Sequence, residues 1–380
     1  MKIFVVGRAF PEKSTGMIGL FEFQQAQALC AAGNDVHYIY FDSRSIKVNR
    51  TIKNIEKVVD NVKVHGFLMP LGGIPEPVFS SIKSFFYRKL MDRIFEENGL
   101  PDVIHFHFPL LTATLKIWGW LINLREQNRF HIVVTEHWSR VLKKTLNKRQ
   151  NVFLRKIYKE TNAFLAVSNN LKTSIQEICG GDKEIVVVPN MVSDLFCYKK
   201  REKTENARFV AIGRLDLLKR FDFLIDAFAE EFAGDKSISL TIIGGGALYN
   251  SLKHQIESLK MEKQIFLTGY KELSEVAEIL HEMDIYVSAS RVETFGVPVI
   301  EAWISGLPAI VADNSPLNDY FTPHNGVLFK LDDKESLRSS LRYASDHMDK
   351  YDREEISKVA VGLFSSKGVS KQLMQIYSNI

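Results

Sequence analysis

The feature that most limits how this chain can fold is a rhythm. Short apolar runs, each followed by a helical pattern, recur through nearly all of its 380 residues. In the first half the runs fall at 2–7, 35–41, 62–68, 102–106, 131–135, 163–167 and 184–188, with helical spacing near 19–32, 81–98, 110–126, 149–161 and 168–179. Runs that are apolar at nearly every position suit strands covered on both faces, and their alternation with helices predicts parallel sheets. From Asn190 to Ala207 the text turns polar and charged and reads as a linker. The rhythm then restarts with RFVAIGRL, SLTIIGGG, QIFLTGY, DIYVSAS and PAIVAD. The expectation is an α/β chain of two doubly wound domains, 1–195 and 206–365, at a length that holds about two such cores. Parallel sheets bind ligands outside the carboxyl ends of their strands. Residues just after each apolar run are therefore the candidates for chemistry.

One such edge stands out. Ser288 to Pro308 reads SASRVETFGVPVIEAWISGLP, after a strand expected over Met283 to Val287. Glu293 stands in a small-residue loop, Gly296-Val297-Pro298 opens a helix, and Glu301 follows eight residues after Glu293. Proline suits a first helical position, where its missing N–H costs nothing. The N–H groups of Phe295, Gly296 and Val297 would point outward at the positive end of the helix dipole, a site for phosphate. Two carboxylates beside such a site suit a ligand with a phosphate and many hydroxyls, such as a nucleotide sugar. Upstream, GRLDLLKRFDFLIDAF leaves a strand at Ile212 and enters a helix near Lys219. Arg214 and Lys219 would project from that strand end, where paired cations stabilise charge developing on a diphosphate leaving group.

The stretch around Glu293 and Glu301 resembles the signature of glycosyltransferase family 4, retaining enzymes of the GT-B fold. The matching features are two glutamates eight apart around Phe-Gly-x-Pro, then Glu-Ala and Gly-x-Pro. The resemblance covers nearly the whole chain. It implies two Rossmann-like domains facing across a cleft, with the acceptor held by the first and the donor by the second. It also implies a last helix (about 366–380) that crosses back onto the first domain. Arg214 and Lys219 then meet the diphosphate, Glu301 accepts from both ribose hydroxyls, and Glu293 orients the transferred sugar. The amides of Thr294, Phe295, Gly296 and Val297 complete that pocket. Gly244 and Gly245 lie against the nucleotide half of the donor, and Tyr270 lies where backbone meets the base. On the acceptor side the resemblance places Gly16, Gly19 and His137, with His137 near the transferred sugar and Glu136 beside it. Catalytic roles thus fall to Glu293, Arg214, Lys219 and His137, with neither glutamate a nucleophile. The chain departs from the family's pattern after Pro308, where Asn314, Asn318 and Asp319 replace a glycine-rich turn and a glutamate.

Neither a cofactor nor a metal is expected. There is no Asp-x-Asp, and two histidines spaced as His105 and His107 on a strand pack more often than they ligate. A nucleotide diphosphate sugar would be co-substrate, and Arg214 and Lys219 would supply the positive charge.

Three cysteines without C-x-x-C spacing read as reduced thiols in a cytosolic protein. The opening MKIFVVGRAF is short for a signal peptide and reads as a first strand. Residues 1–200 hold 28 Lys+Arg against 18 Asp+Glu, whereas 201–380 hold 21 against 27. A basic first half suggests an anionic partner, and no nucleic-acid motif accompanies it. Two basic, apolar-patterned segments, 80–95 and 140–159, could dock peripherally on an anionic membrane at its cytoplasmic face. The reading is a retaining, metal-independent hexosyltransferase acting on a sugar, glycan or lipid-linked acceptor in surface polysaccharide or glycoconjugate synthesis. Its rivals are a GT-B epimerase or phosphorylase, a catalytically silent nucleotide-sugar-binding subunit, and an NAD-dependent oxidoreductase. The lack of a close G-x-G-x-x-G after the first strand counts against the last of these.

Overall fold

The computed structural model describes residues 1–12, 18–43, 51–181, 183–202 and 206–380. In chain order the elements of the first half are β1 (Lys2–Gly7), α1 (Leu20–Ala31), β2 (Asp35–Asp42), β3 (Lys53–Val59), β4 (Val62–Leu68), α2 (Glu76–Asn98) and β5 (Val103–His107). Then come α3 (Pro109–Thr112), α4 (Leu115–Gln127), β6 (His131–Glu136), α5 (Ser139–Leu142), α6 (Lys148–Glu160), β7 (Ala163–Ala166), α7 (Asn169–Cys179) and β8 (Ile185–Val187). The second half runs β9 (Ala207–Ile212), α8 (Phe221–Phe232), β10 (Ile238–Ile243), α9 (Tyr249–Ser258), β11 (Ile265–Gly269), α10 (Leu273–Glu282) and β12 (Ile285–Ser288). It closes with α11 (Val297–Ile304), β13 (Ala309–Ala312), β14 (Gly326–Phe329), α12 (Lys334–Asp346), α13 (Arg353–Phe364) and α14 (Ser366–Ser378). The chain divides into two compact units, 1–191 with 366–380, and 192–365.

Among the described residues the first unit forms an eight-stranded sheet in the order β3-β4-β2-β1-β5-β6-β7-β8. Its central strands are fully buried, as apolar runs covered on both faces must be. One strand departs from the parallel expectation. β3 is antiparallel to β4, joined by Asp60 and Asn61, both at positive φ, the two-residue turn of a right-twisting hairpin. Lys53, Asn54, Glu56 and Lys57 interrupt its apolar residues, and Val58 is exposed, so no continuous apolar run announces it. Lys57 lies 3.4 Å over the Phe10 ring, and Glu56 meets His65 at 2.6 Å and Arg93 at 2.5 Å. The expected helix over 110–126 is two helices, broken where Thr114 leaves helical geometry to cap α4. The basic segment 140–159 is likewise divided between α5 and α6.

The second unit is wholly parallel, ordered β11-β10-β9-β12-β13-β14. Strand order reverses beside β9 in this unit and beside β1 in the first, and such reversals leave a crevice at the carboxyl edge. The described part of the Asn190–Ala207 segment is exposed in places and tied down in others. Phe196 is buried, the Val192 N–H reaches the Phe364 carbonyl at 3.0 Å, and Arg201 grips Asp284 and the Met283 carbonyl. α14 belongs to the first unit, where Val369, Leu373 and Tyr377 join the core of β1, β2 and α1. The Tyr377 hydroxyl lies 2.6 Å from His105 Nδ1, whose Nε2 lies 2.7 Å from the Thr135 hydroxyl. His105 is thus a satisfied core residue. Among the described residues no helix is long and apolar enough to cross a membrane.

Tyr377→Phe strips the buried His105 imidazole of one of its two partners and is expected to cost the first unit about 1–2 kcal/mol. Leu373→Ala, at a fully buried site, is expected to cost about 2–5 kcal/mol. Urea unfolding followed by tryptophan fluorescence checks both, since Trp118, Trp120 and Trp138 all lie in that unit and only Trp303 in the other.

Candidate functional site

In the second unit, the loop after β9 is shaped by a residue the sequence reading did not single out. Asp216 Oδ1 accepts the N–H groups of Leu218 at 3.0 Å and Lys219 at 3.3 Å, and its Oδ2 takes Arg214 at 2.7 Å. Burial pushes the Asp216 carboxyl up, but Arg214 and the two amides together hold it below its ordinary value. The helix expected near Lys219 starts at Phe221, because Arg220 takes a left-handed conformation before it. That turn leaves Lys219 at the strand edge. Its stem passes over Gly213, where a Cβ would stand 3.4 Å away, and its ammonium pairs with Glu293.

The loop after β12 is fastened to the same place. The Leu218 carbonyl accepts the Arg291 N–H at 2.9 Å, and Asp332 binds both Arg291 (2.9 Å) and Arg220. Asn314 donates to the Arg291 carbonyl at 2.8 Å. The departure from family pattern near 314–319 therefore braces the Glu293 loop. Gly296 opens α11 at φ +96°, with Pro298 in its first turn. Among the described residues, no hydrogen bond engages the N–H of Phe295, Gly296 or Val297.

Glu301 lies inside α11, buried, and among the described residues nothing hydrogen-bonds its carboxylate. Burial pushes its pKa up to about 7. The phenol of Tyr286 on β12 is also buried. Its pKa is raised first by that burial and then by the charges of Glu293 and Glu301, so one hydroxyl senses both carboxylates. Tyr286 was not legible as a site residue, since a tyrosine in an apolar strand reads as core.

The glycines sort by function. A Cβ on Gly244 (φ +151°) would lie 1.9 Å from the Gly213 carbonyl, so this glycine is required where two loops pack. Gly245 has only Tyr270 near its missing Cβ, at 3.8 Å, and leaves backbone open. Tyr270 itself is exposed. Lys219 and Glu293 are thus in contact, while Arg214 turns outward onto Asp216.

The remaining candidates sit in the first unit, at the carboxyl edge beside β1. Gly19 (φ +92°) caps α1, where a Cβ would meet the Ala9 carbonyl at 1.9 Å. Gly16 lies outside the described residues. His137 is buried, with its Nε2 2.9 Å from His107 Nδ1 and its ring stacked on Phe108 at 4.6 Å. Phe108 holds a left-handed conformation (φ +49°), and Arg8, bound to buried Glu22 at 2.7 Å, lies 3.6 Å over the Phe108 ring. Glu136 accepts the N–H groups of His137 and Trp138 at 2.9 Å each, and burial pushes its pKa up to about 7. Burial likewise holds both histidines well below the usual imidazole value, so they pair as neutral rings. His107, expected to pack rather than ligate, is buried and is also what His137 leans on. Among the described residues no three His, Cys, Asp or Glu gather as a metal site would need.

Two family models match the chain in succession, one described as Glycosyltransferase Family 4 over residues 23–194 and one as Glycosyl transferases group 1 over 197–358. The chain is 29% identical over 191 residues to mannosylfructose-phosphate synthase of Agrobacterium fabrum, covering 47% of this chain and 42% of that protein. It is 23% identical over 323 residues to N-acetyl-alpha-D-glucosaminyl L-malate synthase of Bacillus anthracis, covering 82% and 78%. Among solved structures, sucrose-phosphate synthase from Thermosynechococcus elongatus is similar with a TM-score of 0.78 at 17% identity, over 100% of this chain and 98% of that one. Anabaena HepE in complex with UDP and glucose gives 0.71 at 15% identity, over 100% of both chains. At such identities the structural likeness speaks for the fold, which is GT-B. The two family models take in most of the chain between them, and the protein belongs to the family 4 glycosyltransferases.

Proposed function

We propose that this glycosyltransferase moves a hexose from a nucleotide diphosphate sugar to a hydroxyl of a sugar, glycan or lipid-linked acceptor, with retention and without a metal. The observation that carries this reading is the pairing of Lys219 with Glu293 beside the open N-terminus of α11 and the unpartnered carboxylate of Glu301. The diphosphate takes Lys219 from Glu293 and docks on the helix amides, where preorganised donors stabilise charge that grows as the bond breaks. Glu293, released, accepts from the sugar hydroxyls. Glu301 accepts from both ribose hydroxyls, an arrangement that suits a carboxylate. The bond from the anomeric carbon to the phosphate oxygen breaks, the acceptor oxygen bonds that carbon on the same face, and its proton passes to the departing phosphate oxygen. UDP bound in the Anabaena fold neighbour supports a nucleoside diphosphate as the donor's leaving half.

A thermal-shift screen across UDP-, GDP- and ADP-sugars tests the donor. One of them at a hundredfold its Kd should add about 2.7 kcal/mol of stability, and no shift with any of them counts against the reading. With that donor, Glu301→Ala, or Arg214→Ala together with Lys219→Ala, should lower transfer by at least about a hundredfold, or about 2.7 kcal/mol in the barrier, with folding retained. Transfer by the wild type should persist in EDTA, and loss there restored by a divalent ion would refute metal independence.

Burial of Glu301 also sets a stability profile. Its pKa in the folded chain is about 7 against an ordinary 4.5, so the folded state keeps the proton longer than the unfolded state. The contribution is therefore full below about pH 4.5 and is lost as pH rises through about 7. Glu301→Gln removes that loss. The variant should be more stable than wild type at pH 8 by about 1–3 kcal/mol and equal to it near pH 4.5, as read by urea midpoints at both pH values.

A further inference from the structure

The first unit carries an apolar surface that none of the chemistry above uses. On α2 the stripe Val78, Ile82, Phe85 recurs at helical spacing, with Val78 and Phe85 about half exposed. Beside it stand exposed Ile74 before the helix, Leu111 on α3, Leu115 on α4 and Val152 on α6. These residues come from four segments that the structure ties together. The buried Lys83 ammonium reaches the Leu111 carbonyl at 2.9 Å, Ser84 meets Thr114 at 2.7 Å, Lys116 donates to Ser81 at 3.0 Å, and Arg149 reaches Glu76 at 3.3 Å. α6 packs against both α3 and α4.

The charge around this face is mainly positive, with Glu76 paired to Arg149. From His137 to Lys159 there are eight Lys and Arg and no Asp or Glu. On α6 the exposed side surrounds Val152 with Lys148, Arg149, Arg155 and Lys159, while Phe153, Leu154, Ile157 and Tyr158 face inward. On α2, Lys89 lies 4.7 Å over the Phe85 ring. Apolar side chains ringed by long cations are what a surface needs to sink into an acyl layer while its ammonium groups stay among phosphates.

We infer that this face docks on an anionic lipid bilayer and that the acceptor is lipid-borne. The place of the face in the fold bears on the second part. α3 begins two residues after His107, and α5 two residues after His137, so the docking elements grow from the same carboxyl edge that holds the histidine pair. A hydroxyl carried on a membrane lipid would arrive at that edge. The acceptor part rests on the glycosyltransfer reading above, and the docking part does not.

Flotation of the full chain with vesicles separates the two. In about 0.1 M salt the chain should float with vesicles of phosphatidylcholine containing about 30% phosphatidylglycerol, at least about tenfold more than with phosphatidylcholine alone. The triple variant Val78→Ser, Phe85→Ser, Leu115→Ser alters exposed side chains only and should lower flotation about tenfold. Its donor-induced thermal shift should be unchanged. Lys148→Glu with Arg155→Glu should do the same. Wild type that stays behind with both vesicle types overturns the inference, as does a triple variant that floats like wild type. Either result with an intact donor shift leaves the glycosyltransfer reading standing. Flotation as expected with no donor shift upholds the docking face and overturns the lipid-borne acceptor.

Discussion

The loop after β9 and the loop after β12 are held as one piece, and the donor chemistry proposed for the second unit depends on that union. It is made by the Leu218 carbonyl on the Arg291 N–H, by Asp332 between Arg220 and Arg291, and by Lys219 on Glu293. The strand order explains why these two loops meet at all. β9 and β12 are neighbours at the point where the strand order reverses, so helices leave on opposite faces and the edge between them stays open. The side chains gathered there have little choice but to face a ligand or each other. Without a ligand they face each other.

The charge distribution at that edge is costly to the folded chain. Glu301 is buried without a hydrogen-bonded partner among the described residues, and its raised pKa is the measure of that burden. The pKa of the Tyr286 phenol is raised above its ordinary value first by burial and then by Glu293 and Glu301. A core built for stability would place an amide or an apolar residue where Glu301 stands. A ligand rich in hydroxyls would relieve the strain by donating to the carboxylate, so binding and stability are linked through one side chain. Asn314 extends the same logic outward. It holds the Arg291 carbonyl and so fixes the loop that presents Glu293.

Much of this was legible before any coordinates. The apolar runs set out both sheets except β3 and β14, and the stretch from Ser288 to Pro308 marked the edge that carries the two carboxylates. What escaped did so for physical reasons. β3 mixes charged residues with Ile55, Val58 and Val59, so its sequence shows no continuous apolar run. Asp216 and Asn314 act on main-chain atoms, and a side chain that shapes a loop looks like any polar loop residue. Tyr286 and His107 lie on strands whose inward positions are uniformly apolar or aromatic, where a polar tip cannot be told from filler. Gly244 is expected against the nucleotide half of the donor, and only the approach of the Gly213 carbonyl shows that packing also requires it. Residue type reveals chemistry best where the side chain itself meets the ligand.

The most direct test of this account follows the Glu301 proton. A carboxyl with a pKa near 7 is about half protonated at pH 7, and ribose hydroxyls that donate to it would favour the ionised form. Calorimetric titration with the nucleotide sugar that gives the largest melting shift, in buffers of differing ionisation enthalpy at pH 7, counts protons exchanged. The account predicts release of about half a proton per donor bound, abolished in Glu301→Gln. Binding with no buffer dependence, or with proton uptake, would contradict it.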